Sequence, residues 1–216
     1  MLPKPIICKS VDFGYTHSVL HDVEFILQPR EFIAILGKNG CGKTTLLRLI
    51  SGILRPTSGT LSTNPIVGWK GCDLPGYCPF SVDEILRLHP AHIRPSSSSD
   101  IERVILRFKL APLISRALET LSSGEQHRVL LARLFCGTYP AIVIDEPLTA
   151  LDPRQQEILS EELTAFTNTG GMVIVASHDV HWVASTCDRA FTVTNGAVAE
   201  IPVADVITPE FQHIYD

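Results

Sequence analysis

The sequence predicts an α/β fold with a largely parallel sheet, an N-terminal antiparallel β subdomain and a helical insert. Three observations carry that expectation. Phe32–Leu36, Ala141–Ile144 and Met172–Ala176 are continuous apolar runs without alternation, the pattern of parallel strands buried on both faces. A helical pattern follows each of them, at Lys43–Ser51, Arg154–Phe166 and His181–Ser185. Val11, Phe13 and Tyr15, and later Val23, Phe25 and Leu27, alternate with a period of two, as an antiparallel hairpin does.

Taken in order, the hairpin region opens the chain, then comes the first buried strand, then the first helix. From about Gly76 to Leu134 the pattern is mostly helical and reads as an insert. Within it Ser96–Ser99, preceded by Pro95, reads as a loop. Ser99, three residues before Glu102, is expected to form a capping box. That box opens a helix with Ile101, Val104, Ile105 and Phe108 on one face. The last two strands and their helices restore the α/β pattern. The chain is therefore read as one domain over 1–216, with a helical subdomain at about 76–134.

Composition narrows the function. Apolar residues make up 45% of the 216 and charged residues 19%, which excludes a disordered or fibrous chain. A net charge of −5, from 18 basic and 23 acidic residues, argues against a nucleic-acid partner. The longest apolar runs fall far short of the ~18 residues that cross a bilayer, and MLPKPIICKS lacks the apolar core of a signal peptide. A cytosolic setting is expected. The six cysteines are scattered, unlike a disulfide scaffold. Cys72 and Cys78, with His89 and His92 downstream, offer neither C-x-x-C nor H-x-x-x-H spacing, so they are read as plain thiols rather than zinc ligands.

GKNGCGKTT carries the first chemistry. Gly37, Gly42, Lys43 and Thr44 satisfy G-x-x-x-x-G-K-[ST], directly after a buried strand and at the start of a helix. In that setting backbone N–H groups and the positive helix end cradle the phosphates of a nucleotide. The contacts expected for ATP are Gly37, Lys38, Asn39, Gly40, Cys41, Gly42, Lys43, Thr44 and Thr45. Lys43 has the reach of the β- and γ-phosphates, and the Thr44 hydroxyl can ligate Mg²⁺. AIVIDEP supplies the second half: Asp145 ends a buried strand and can hold Mg²⁺, and Glu146 can act as general base for the attacking water. Alkylation of Cys41, inside the loop, is expected to block the nucleotide.

Two further strings narrow the reading. LSSGEQHRVLLARLF, residues 121–135, is similar to the LSGGQ signature of ATP-binding-cassette (ABC) ATPases, including the Gln-x-Arg that follows it. Thr149–Asp152 resembles that family's D-loop, and His178 in IVASHD follows a strand as the family's switch histidine does. Tyr15 lies 28 residues before Lys43, which suits the aromatic that stacks on adenine. By themselves Tyr15 reads as a strand-core aromatic and His178 as a capped loop histidine; their functional roles come from the resemblance, which spans about Val11 to Val198. It implies a mechanism in which two cassettes sandwich two ATP molecules head to tail. Ser122, Ser123, Gly124 and Glu125 would then face the partner's ATP, with Ser122 and the Gly124 backbone donating to the γ-phosphate. His178 would orient phosphate and water, and Asp152 would couple the two sites. ATP acts as an interface ligand lost on hydrolysis, and so converts binding into a two-state motion.

The reading favoured is an ATP-hydrolysing subunit that dimerises, with itself or another cassette, and powers a separate integral membrane permease from the cytoplasmic face of the membrane. Phe80–Leu88 would be the docking surface. Soluble cassette proteins of translation or repair carry two cassettes or a long coiled-coil insert, which this chain lacks. A degenerate subunit paired with an active cassette is the third reading, countered by Glu146 and His178. The permease handles the transported ligand, so substrate chemistry leaves almost no mark here. FSVDEILRLHP resembles importers of metal chelates, and the compact chain equally resembles haem-export cassettes.

The sequence departs from the family in places. Ser123 replaces the second signature glycine, Glu125 replaces a glutamine, and Arg30 stands where a turn glycine is usual, with no consequence expected on an exposed turn. The family's catalytic-loop glutamine is missing: no Gln occurs between Gln28 and Gln126, and Gly71 or Cys72 holds its place. Neither side chain both donates and accepts as an amide does. Weaker hydrolysis or altered coupling is expected, with ATP binding retained. Cys72→Gln should raise steady-state Mg-ATP hydrolysis; an unchanged rate would overturn this assignment.

Overall fold

The computed structural model describes residues 4–62, 67–70, 78–89 and 93–212. Gly71, Cys72 and His92 therefore lie outside the described residues, as does Gly76, where the helical subdomain was expected to begin. In chain order the strands are β1 (Ile6–Gly14), β2 (Ser18–Leu27), β3 (Phe32–Leu36), β4 (Ser58–Ser62), β5 (Val67–Lys70), β6 (Arg94–Pro95), β7 (Gly137–Thr138), β8 (Ala141–Asp145), β9 (Met172–Ala176), β10 (Arg189–Thr194) and β11 (Ala197–Ile201). The helices are α1 (Lys43–Ile50), α2 (Val82–Arg87), α3 (Ser98–Arg107), α4 (Ser123–Arg133), α5 (Pro153–Asn168), α6 (Val180–Thr186) and α7 (Pro209–Gln212). The chain divides into two compact units. One comprises Met1–Trp69, Pro140–Pro147 and Leu163–Asp216, the other Lys70–Tyr139 and Leu148–Glu162.

In the first unit β11, β10, β3, β9, β8 and β5 form a six-stranded sheet in that order. β10, β3, β9 and β8 run parallel, and β11 pairs antiparallel with β10. Every residue of β3, β8 and β9 is buried, which is why these segments show no alternation. β2, β1 and β4 form a separate antiparallel sheet. Its inward positions Val11, Phe13, Val23, Phe25 and Leu27 join Ile33, Ile35, Val143, Ile174 and the apolar face of α1 in one core. Tyr15 departs from the strand-core expectation. It lies beyond the end of β1, is 62% exposed, and meets Phe13 edge-on at 5.1 Å between ring centroids. Arg30 also departs from expectation: its φ of 70° puts a bulky residue in the left-handed conformation that favours glycine, so the turn carries strain.

The second unit is mainly helical. Val82 and Leu86 of α2, Ile101 and Val104 of α3, and Val129, Leu131 and Ala132 of α4 are buried. Within this unit Arg103 Nη1 donates to both carboxylate oxygens of Glu162 at 2.9 Å, and Arg107 donates to Glu161 and Glu162. α3 starts earlier than the sequence suggested. Its cap is Ser97, with Asp100 rather than Glu102 as the reciprocal partner. Four consecutive serines offer several registers; this one starts the helix at Ser98 and still buries Ile101 and Val104. Ser97 Oγ donates to Asp100 Oδ2 at 2.6 Å. Ser97→Ala should therefore lower stability by about 1 kcal/mol, whereas Ser99→Ala stays within about 0.5 kcal/mol, as urea unfolding would show.

Candidate functional site

β3 is followed immediately by the loop 37–42 and then by α1. Gly37 is there because nothing larger fits: a Cβ would lie 2.5 Å from Cys41 Sγ and 2.6 Å from Val193 O of β10. Gly42 caps α1 with φ 114° and makes no side-chain cap, and the first turn carries no acidic residue. The helix thus presents its orphan N–H groups and positive end to the loop. Lys38, Asn39 and Gly40 are exposed at the loop crest, Cys41 and Thr44 are half-buried, and Thr45 is buried. Lys43 is only 7% exposed. Its Nζ donates to Gly37 O at 2.6 Å and Lys38 O at 3.1 Å, so the cation is folded into the loop.

β8 and β9 bring the acidic half alongside. Asp145 is 4% exposed, and its Oδ2 accepts from Thr44 Oγ1 at 2.6 Å. These two hard oxygens, one from each half, suit Mg²⁺, which binds through few protein ligands plus water and substrate phosphates. Glu146 follows with φ 51°, an uncommon left-handed conformation for a side-chain-bearing residue. Its N–H donates to Ala176 O at 2.9 Å, which pins the strained turn to the end of β9. Glu146 Oε2 then accepts from His178 Nδ1 at 2.7 Å. A carboxylate accepts a proton from water, and a histidine 75% exposed at its side chain is placed to orient it.

Sequence reasoning missed the supports of His178. Ser177 is buried, its N–H reaches Ile35 O at 3.3 Å, and its Oγ accepts from Asp179 N at 3.1 Å. Asp179 in turn caps α6 by accepting from Trp182 N at 2.9 Å. An Asp just before a helical pattern was the available signal. Val193, which bounds Gly37, left no local signal. Tyr15 sits in the β1–β2 turn of the same unit, and the start of that hairpin's second strand touches the loop. A Cβ on Gly42 would lie 3.2 Å from Leu20 and 3.3 Å from Val19.

Ser122, Ser123, Gly124, Glu125 and Asp152 belong to the second unit. Ser122 caps α4 and forms a capping box with Glu125. A Cβ on Gly124 would meet Ala150 O at 3.2 Å, so the start of α4 abuts the Ala150 loop within this unit. Asp152 caps the start of α5, accepting from Gln155 N at 2.9 Å. Among the described residues no group of three or more His, Cys, Asp or Glu could hold a metal by itself.

The family model described as "ABC transporter" matches residues 20–149. The zinc import ATP-binding protein ZnuC of Yersinia pestis bv. Antiqua (strain Antiqua) is 33% identical over 185 residues, covering 83% of this chain and 71% of that protein. The hemin import ATP-binding protein HmuV of Pseudomonas putida (strain KT2440) is 32% identical over 203 residues, covering 84% and 79%. A solved ATP-binding subunit of an ABC transporter superposes with a TM-score of 0.81 at 25% identity, covering 93% of this chain and 90% of that one.

Burial pushes the thiols of Cys8 and Cys136 up to about 12 and also raises that of Cys187, so all three stay protonated and shielded. In a Cys72→Ser background, iodoacetamide should therefore label Cys41 in preference to these three. The label should abolish nucleotide binding, and ATP should protect against it. Labelled protein that still binds a fluorescent ATP analogue would refute the placement of this loop against the phosphates.

Proposed function

The chain belongs to the ABC transporter family as an ATP-binding, ATP-hydrolysing subunit, and from that membership we propose that it works as a head-to-tail dimer on the cytoplasmic face of a membrane permease. The observation that carries the proposal is the convergence at one sheet edge of a buried loop cation, the Thr44–Asp145 pair and the Glu146–His178 pair. In this reading the loop 37–45 holds the phosphates of ATP, with Lys43 leaving its carbonyl partners for the β- and γ-oxygens. Thr44 and Asp145 hold Mg²⁺, which when bound neutralises charge on those oxygens. Glu146 takes the proton of the attacking water, and His178 holds the carboxylate and the water in place. Tyr15, exposed next to Phe13, offers its ring face to adenine.

The two helix-start residues Ser122 and Gly124 face the partner's ATP, with Ser123 and Glu125 beside them, and Asp152 couples the two sites. No helix among the described residues is long and apolar enough to cross a membrane, so the span is assigned to the permease chain. Phe80 and Leu88, exposed at either end of α2, support that segment as the docking surface. The relatives named for zinc and hemin import favour an importer. The two units are read as one cassette, the mainly helical one being its helical subdomain.

Steady-state Mg-ATP hydrolysis against protein concentration tests this. Turnover should rise more than linearly where light scattering reports monomer, and Glu146→Gln should lower it by about 100-fold or more. Equal turnover in Glu146→Gln, or a strictly linear rise from monomer, would overturn the assignment.

A further inference from the structure

The start of α4 is already occupied by an anion of the chain's own. Ser122 N–H and Ser122 Oγ–H both donate to the same oxygen, Glu125 Oε2, each at 2.8 Å. Glu125 N returns a long bond to Ser122 Oγ at 3.4 Å. A serine hydroxyl has a single proton to give, and here it goes to Glu125. A γ-phosphate oxygen at neutral pH can only accept. It therefore competes with the carboxylate for that proton and for the positive end of the helix.

Bonds from the Ser122 backbone, and then from its hydroxyl, hold the Glu125 carboxyl below the usual carboxylate range, with Arg116 and Arg128 adding to the effect. The group is thus ionised at neutral pH. The same box at the same spacing caps α2 through Ser81 and Glu84 and α3 through Ser97 and Asp100, so the shorter acid also serves as the cap's partner.

We infer that Glu125 is a built-in competitor for the partner's ATP: it ties down the Ser122 hydroxyl and sets the ATP concentration at which two copies close. This rests on the reading that Ser122 and Gly124 face a partner's nucleotide. Closure requires Ser122 to turn its proton from Glu125 to the phosphate while two negative groups approach one helix end. Glutamine at this position keeps an acceptor for the Ser122 N–H but removes the charge, and a neutral acceptor holds the hydroxyl more weakly. Glu125 acts here as a positioning residue, through Ser122, and takes no part in proton transfer from water.

The test uses full-length protein carrying Glu146→Gln, so that ATP is bound without being consumed, with dimer measured by light scattering across a Mg-ATP titration. Adding Glu125→Gln should lower the ATP concentration for half-maximal dimer about tenfold at low salt, below both the parent and the Glu125→Asp form that keeps the charge. The gap should narrow as ionic strength rises from about 0.05 to 0.5 M. A purely structural cap predicts the opposite order, with Glu125→Gln weakening α4 and raising the threshold. That order, or equal thresholds in the three proteins, overturns the inference while leaving the head-to-tail reading intact. No dimer in any of them overturns that reading and the inference with it.

Discussion

Hydrogen bonds of the parallel ladder hold Ala176 beside Ile35 on one flank and beside Asp145 on the other. Because the three strands are parallel and in that register, the chain leaves all of them at the same edge. The loop after β3, the acidic pair after β8 and the histidine after β9 then meet without any strand bending to bring them there. Two cross-links fix the exits to one another: Glu146 N to Ala176 O, and Ser177 N to Ile35 O. A slip of one residue would turn the Asp145 side chain to the other face of the sheet and separate it from Thr44.

Charge at that edge is arranged by burial. Lys43 is taken out of water and given carbonyl oxygens as partners, which satisfy its donors without neutralising it. Asp145 is equally buried but bonds to a hydroxyl. Each charge keeps a neutral partner that a nucleotide or a cation can displace. An ion pair between the two would be harder to open, since breaking a buried pair leaves both charges unsatisfied.

Much of this was legible in the residues themselves. The three strands could be read because complete burial writes itself as an unbroken apolar run, and the phosphate loop because its glycines and lysine must stand at fixed spacing. Tyr15 and His178 could not be assigned from pattern alone. One aromatic after a strand is indistinguishable from a core residue until its exposure is known, and one histidine from a loop residue until Glu146 is found beside it. The start of α3 was misread because four serines in a row carry no register; Asp100 decided it. The packing of Gly37 on Val193 was invisible, since it joins positions far apart in the chain and neither alone signals the other.

The left-handed backbone at Glu146 has a consequence for selection. A side chain there holds the turn in a conformation that costs on the order of 1–3 kcal/mol, which glycine would adopt freely. On the proposed role of Glu146, the group that takes the proton from water thus stands where the chain would gain stability by exchanging it for glycine. On that reading, a search that ranks variants by thermal tolerance alone would be drawn toward an inert protein at this residue, the familiar opposition of stability and activity concentrated in a single dihedral angle.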